Sequence, residues 1–150
     1  MVKTSVTVDA PIEQVWAALA DESKLSSWCA FCPRLSYPEG TRRADPTGQE
    51  FILSLPTARQ AREQRCEYVS YLPPRQLSAR AFDEAGAVIS TYTLRSDGRR
   101  TVLSFALEPE NYRLAWRLVT YLMTPLIYWI NRSALKRLRR VVEDARQQPV

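Results

Sequence analysis

Two hydrophobic periods divide this sequence at Pro109, and that division limits the chain to an α+β architecture. Before Pro109, apolar residues alternate in short segments separated by turn residues. After it they recur at helical spacing for the remainder of the chain. A chain with this order must bury the apolar stripe of its long helix against a sheet built from the preceding strands.

The first strand reads VKTSVTVDA, with Val2, Thr4, Val6 and Val8 on one face. Asp9-Ala10-Pro11 predicts a helix start, with Asp as the cap and Pro where its missing N–H is harmless. Ile12, Val15, Trp16 and Leu19 form the apolar stripe of that helix. Asp21 caps a second short helix over Leu25 to Trp28, and Pro33 stops it. Strands follow at GQEFILSLP, RQAREQRCEYVSYLP, RQLSARAF and AVISTYTLR, then the Asp97-Gly98 turn. Thr101, Leu103, Phe105 and Leu107 alternate in the last strand. Short turns between successive strands predict an antiparallel meander. In the C-terminal helix, Ile127, Ile130, Ala134, Leu138 and Val141 form a stripe that Leu135 and Val142 broaden. Pro125 predicts a kink or a division into two helices.

A chain of 150 residues suits a single domain over 1–150, with a core that needs no disulfide staples. Three cysteines, an odd count, argue against a disulfide framework. The N-terminus lacks the apolar stretch of a signal peptide, so a cytoplasmic protein is expected. The net charge of +5 permits anionic partners. Aromatic residues are not interleaved with basic ones, and no nucleic acid is expected as a partner. LAWRLVTYLMTPLIYWI, residues 114–130, is apolar but contains Arg117 and Pro125 and is shorter than a membrane span. A helix buried along one or more sides is the favoured reading. Transient contact with a membrane surface is the sharper alternative. The basic run LKRLRRVVEDAR reads as a solvated helix face with cations near its C-terminus.

The absence of histidine excludes Ser-His-Asp and Cys-His catalysis. No glycine-rich phosphate loop is present, and no cofactor is expected. SSWCAFCPRL, residues 26–35, suggests a Cys29/Cys32 dithiol. However, no buried strand precedes it and no helix pattern follows Pro33, so nothing would lower the thiol pKa. One C-x-x-C without histidine is also too few ligands for zinc, and no metal is expected.

VTVDAPIEQVWAALADESKLSSW, residues 6–28, resembles the opening of the START/Bet v 1-like (SRPBCC) superfamily, in its polyketide cyclase/dehydrase and lipid transport branch. Tyr71 to Leu77 is similar to the family's strand-turn-strand, Asp97 to Phe105 to its late hairpin, and Ala134 to Glu143 to the end of its long helix. The resemblance implies a helix-grip fold: a curved antiparallel sheet of about six or seven strands around a long C-terminal helix, with two short helices after the first strand. The gap between sheet and helix is then the expected cavity.

Strand alternation places Phe51, Leu53, Val69, Tyr71, Ala79, Ala81, Ile89, Thr91, Leu103 and Phe105 inside. The helix adds Leu122, Leu126, Trp129, Ile130 and Ser133. Such a lining suits a hydrophobic small molecule (lipid, polyketide, isoprenoid or quinone-like), oriented by a few hydroxyls. Glu63 and Glu67 are expected as solvated partners of Arg62, Arg65 and Arg80. Two functions follow: a non-catalytic binder or carrier, or a cyclase/dehydratase-type enzyme in which Tyr71 or a buried Glu moves a proton. No catalytic residue is assigned, and both a monomer and a homodimer are compatible with the sequence.

Overall fold

The computed structural model describes residues 2–29, 31, 33–56, 62–84 and 86–147. Strand β1 (Val2–Val8) leads into helix α1 (Ile12–Ala20), a 3-10 turn (Glu22–Lys24) and helix α2 (Leu25–Trp28). Strands β2 (Arg34–Ser36), β3 (Glu50–Leu55), β4 (Arg62–Leu72), β5 (Gln76–Asp83), β6 (Gly86–Asp97) and β7 (Arg100–Glu110) follow, then helix α3 (Leu114–Gln147). All seven strands form one curved antiparallel sheet in the order β1-β7-β6-β5-β4-β3-β2. Consecutive strands from β2 to β7 are neighbours, and β1 closes the far edge against β7. This is the α+β helix-grip architecture.

The strict alternation of β1 explains its place. Val2, Thr4, Val6 and Val8 are buried on the side that packs against α3, while Lys3, Ser5 and Thr7 face water. The main core joins Val6 and Val8 to Val15 and Leu19 of α1, Trp28 of α2, Leu94, Leu103 and Phe105 of the sheet, and Leu135 and Leu138 of α3. Each such aliphatic side chain contributes about 1.5–3 kcal/mol by burial. A second, smaller cluster centres on Phe51, Cys66 and Tyr68.

One expectation changes and two narrow. Asp9 does not cap α1. Pro11 occupies the N-cap position with no side-chain cap, and the Asp9 carboxylate lies 3.6 Å from Arg146 instead. The Asp9 backbone also ties to α3, donating to Glu143 and accepting from Arg146. Pro125 lies inside α3 without dividing it. A proline removes one helical hydrogen bond, and the second half of α3 is anchored well enough for the helix to continue through that loss. Finally, the apolar stretch 114–130 is half-buried along one side only, at Thr120, Thr124, Ile127 and Ile130, and none of its residues is fully buried. The buried residues of α3 are Ala134, Leu135, Leu138 and Val142, all in its second half. Among the described residues, no helix is long and apolar enough to cross a membrane.

Candidate functional site: a cavity under the α1–α2 corner

A cavity of about 230 Å³ lies between the concave face of the sheet and the short helices. Its floor comes from alternate positions on four adjacent strands: Phe51 and Leu53 on β3, Cys66 and Tyr68 on β4, Leu77, Ala79 and Ala81 on β5, Ser90 and Tyr92 on β6. Phe105 of β7 closes one side. Leu19, Leu25, Trp28 and Cys29 form the roof, and Asn131 is the contribution of α3. The small side chains of Ala79, Ala81 and Ser90 sit mid-sheet, where larger ones would reach the helices and fill the space.

Polar groups gather at one end. Glu22 and Arg42 line both the cavity and an outer cleft that contains Trp16 and Tyr71, so they stand at the boundary between the two. The Tyr37 hydroxyl donates to the Glu22 carboxylate and lies 2.9 Å from the Tyr68 hydroxyl. Arg42 Nε lies 3.5 Å from the same Glu22 oxygen, and its Nη1 donates to the Ala20 carbonyl at 3.0 Å. The guanidinium stands 5.4 Å over the ring of Tyr71, which in turn meets Trp16 edge-on.

Burial raises the pKa of the Tyr68 phenol. Burial, then the bond to Glu22, raise that of Tyr37, and burial raises that of Tyr92 well above its ordinary value. All three phenols therefore stay protonated at ordinary pH, and Tyr37 and Tyr68 hydrogen-bond as neutral hydroxyls rather than acting as bases. The Trp28 indole Nε1 is the one buried side-chain polar atom without a hydrogen-bond partner among the described residues.

Burial also pushes the Cys66 thiol from 9.0 up to about 12. An acid whose pKa is raised on folding stabilises the protein fully below its unfolded pKa, and loses that contribution as pH rises through the folded value. Stability is therefore expected to fall from about pH 9 upward, with the tyrosines adding to the loss above about pH 10. Urea unfolding midpoints at stepped alkaline pH check this. A Cys66→Ala variant should show a shallower decline.

The structure distributes the sequence-derived candidates over several places. Phe51, Leu53, Ala79, Ala81 and Phe105 line the cavity. Leu103 is fully buried in the adjoining core, and Tyr71 lies in the outer cleft. Val69 sits in the register shift between Tyr68 and Ser70, which brings both Tyr68 and Tyr71 towards Arg42. In β6 the cavity takes Ser90 and Tyr92, so Ile89 and Thr91 fall on the opposite face, where Thr91 accepts a hydrogen bond from Ser78. Leu126, Trp129, Ile130 and Ser133 surround a hollow on the outside of the molecule with Phe31, and Leu122 is exposed.

From the sequence, Tyr68 and Tyr92 are polar groups that could face either way, while nothing there points to Cys66, Ser90 or the Glu22–Arg42 pair. Trp28, at the end of α2, belongs both to the core and to the cavity wall. Cys29 is the C-cap of α2, following a helix instead of preceding one, so no helix N-terminus activates its thiol. Cys32 lies outside the described residues. On the convex face, Arg80 pairs with Glu110 at 2.7 Å and with Glu67 at 3.9 Å, while Arg65 pairs with Glu50.

The fold recurs in solved structures. The Bacillus halodurans protein BH1534 is 19% identical with a TM-score of 0.71, over 94% of this chain and 95% of that one. DynU16, from the dynemicin biosynthetic locus, is 20% identical with a TM-score of 0.70, over 96% of this chain and 47% of its own. The di-domain ARO/CYC StfQ, from the steffimycin biosynthetic pathway, is 14% identical with a TM-score of 0.69, over 98% of this chain and 46% of its own. This chain thus spans about half the length of DynU16 and of StfQ. No curated protein matches it. The family described as polyketide cyclase/dehydrase and lipid transport matches residues 1–143, and the chain belongs to that family.

Proposed function

We propose that this protein binds or carries a hydrophobic small molecule in the cavity beneath α1 and α2. The observation that carries this reading is a mainly apolar chamber whose charged lining, Asp21, Glu22 and Arg42, is shared with the outer cleft. Phe51, Leu53, Ala79, Ala81 and Phe105 are its proposed contact residues. Its size bounds the ligand. A cavity of about 150 Å³ holds benzene, so about 230 Å³ accommodates a fused two-ring group or a chain segment of similar bulk. A longer lipid, isoprenoid or polyketide would place one end here and extend past Glu22 and Arg42 into the outer cleft. The family description and the biosynthetic loci of DynU16 and StfQ favour a polyketide-like aromatic among these classes.

Isothermal titration with 2-naphthol, a fused bicycle bearing one hydroxyl, tests the reading. Saturable one-to-one binding is expected. Absence of binding by naphthol and by larger isoprenoid or acyl probes would refute it.

A second reading, proton transfer on a reactive poly-β-ketone, is favoured by one feature: Glu22 is a carboxylate at the cavity boundary, held by Tyr37 and Arg42. On that reading Glu22→Gln would abolish turnover of a poly-β-ketone analogue while retaining its binding. A wild-type protein that binds the analogue and leaves it unchanged would be a carrier.

A further inference from the structure

The first half of α3 carries most of its apolar side chains on its outer face. Thr120, Thr124 and Ile127 face the sheet, beside Val2, Val88 and Leu107. Leu118, Leu122, Leu126 and Trp129, spaced to lie along one line of the helix, face water instead. Leu122 is 69% exposed and Trp129 71%. A helix packed against a globular core shows the opposite arrangement. Phe31, 68% exposed and next to Leu126 and Trp129, extends the patch onto the loop after α2. A continuous apolar surface of this kind marks a contact site.

The charge pattern around the patch identifies its occupant. From Asn111 to Val142 the sequence has no acidic residue and seven basic ones. Lys136 and Arg140 continue the exposed line beyond Trp129, with Arg137 and Arg139 beside them. Arg113 and Arg117 stand at the other end. Apolar residues and exposed aromatics between two groups of cations are the composition of a helix lying in the interface of an anionic bilayer. A second copy of the chain suits the patch less well, because a two-fold contact along this helix would bring one basic row against another. Spanning is excluded for the same helix, which is not apolar enough to cross.

We propose that the first half of α3, with Phe31, docks on the surface of an anionic lipid bilayer. The helix lies along the surface with Leu118, Leu122, Leu126 and Trp129 in the acyl boundary and the cations against lipid phosphates. The contact stands apart from whatever the cavity holds. It does place the bilayer near the cavity wall, since Asn131 and Cys29 line the cavity, Ile130 precedes Asn131 in the chain and Phe31 is two residues beyond Cys29.

Vesicle co-sedimentation of the full chain tests this, with phosphatidylglycerol-rich vesicles compared with phosphatidylcholine alone. Binding at least about tenfold tighter to the anionic vesicles is expected, with a strong loss at high salt. The double substitution Leu122→Glu/Trp129→Glu should abolish binding and leave the circular dichroism unchanged, since both side chains are exposed. Lys136→Glu/Arg140→Glu should weaken it about as much as high salt does. No co-sedimentation would overturn the proposal, as would binding unaffected by both variants. A stable dimer dissociated by Leu122→Glu/Trp129→Glu would assign the patch to a second copy and also overturn it.

Discussion

Replacing Trp28 by alanine is expected to lower the unfolding free energy by about 3–5 kcal/mol, the usual range for a large aromatic removed from a core. Trp28 is 1% exposed and meets Tyr92 edge-to-face, with ring centroids 5.9 Å apart. It packs in the cluster that joins α1, the sheet and the second half of α3. Its carbonyl accepts from Arg137 Nε at 3.1 Å, so the residue holds α2 to α3 through its backbone as well as its ring. Removing the indole enlarges the existing cavity, and the four-residue α2 has little else to keep it in place. By contrast, Cys29→Ser next to it should change stability by about 1 kcal/mol or less. Chemical denaturation of both variants decides whether the Trp or the thiol matters in this stretch. A destabilised serine variant beside a stable alanine variant would reverse the assignment.

Substituting Ala79 by phenylalanine should separate stability from binding. Ala79 projects from the middle of β5 into the chamber, between Tyr68 on β4 and Ser90 on β6. A benzene-sized group there occupies most of the available space, since benzene fills a cavity of about 150 Å³. Filling a cavity typically stabilises a protein by about 0.5–2 kcal/mol. Loss of the ligand's place should weaken 2-naphthol binding by about a hundredfold or more, which corresponds to about 2.7 kcal/mol. The two effects have opposite signs, which a general disruption of the fold cannot produce. A variant that is stabilised and still binds at full affinity would place the ligand elsewhere.

Much of the fold is legible in the residues. Strict alternation in β1 gives its buried face directly, because a half-buried edge strand has one apolar side. The Asp97-Gly98 pair marks the β6–β7 turn, where Gly98 has a φ of 65°. The site is less legible, for physical reasons that differ by strand. In β5, Leu77, Ala79 and Ala81 stand opposite Ser78 and Arg80, and the contrast indicates the inward face. In β6, Ile89 and Thr91 alternate with Ser90 and Tyr92, so both faces carry apolar and hydroxyl groups and the period does not choose between them. Packing chooses: Tyr92 meets both Trp28 and Phe105. In β4 the register shift at Val69 breaks the alternation, placing Tyr68 in the cavity and Tyr71 in the adjoining cleft. Glu22 and Arg42 come together only through the fold, from the α1–α2 corner and the loop before β3. In α3 the helical period is visible, but its outward apolar face is a property of the first half alone.

On the proposed function the ligand occupies the chamber rather than the exposed apolar face of α3, and amide chemical-shift mapping during titration with 2-naphthol distinguishes the two places. The predicted result is a saturable set of shifts at Cys66, Tyr68, Ala79, Ala81, Ser90 and the Trp28 indole N–H. Shifts confined to Leu118 through Trp129 and Phe31, with the chamber amides unmoved, would contradict it.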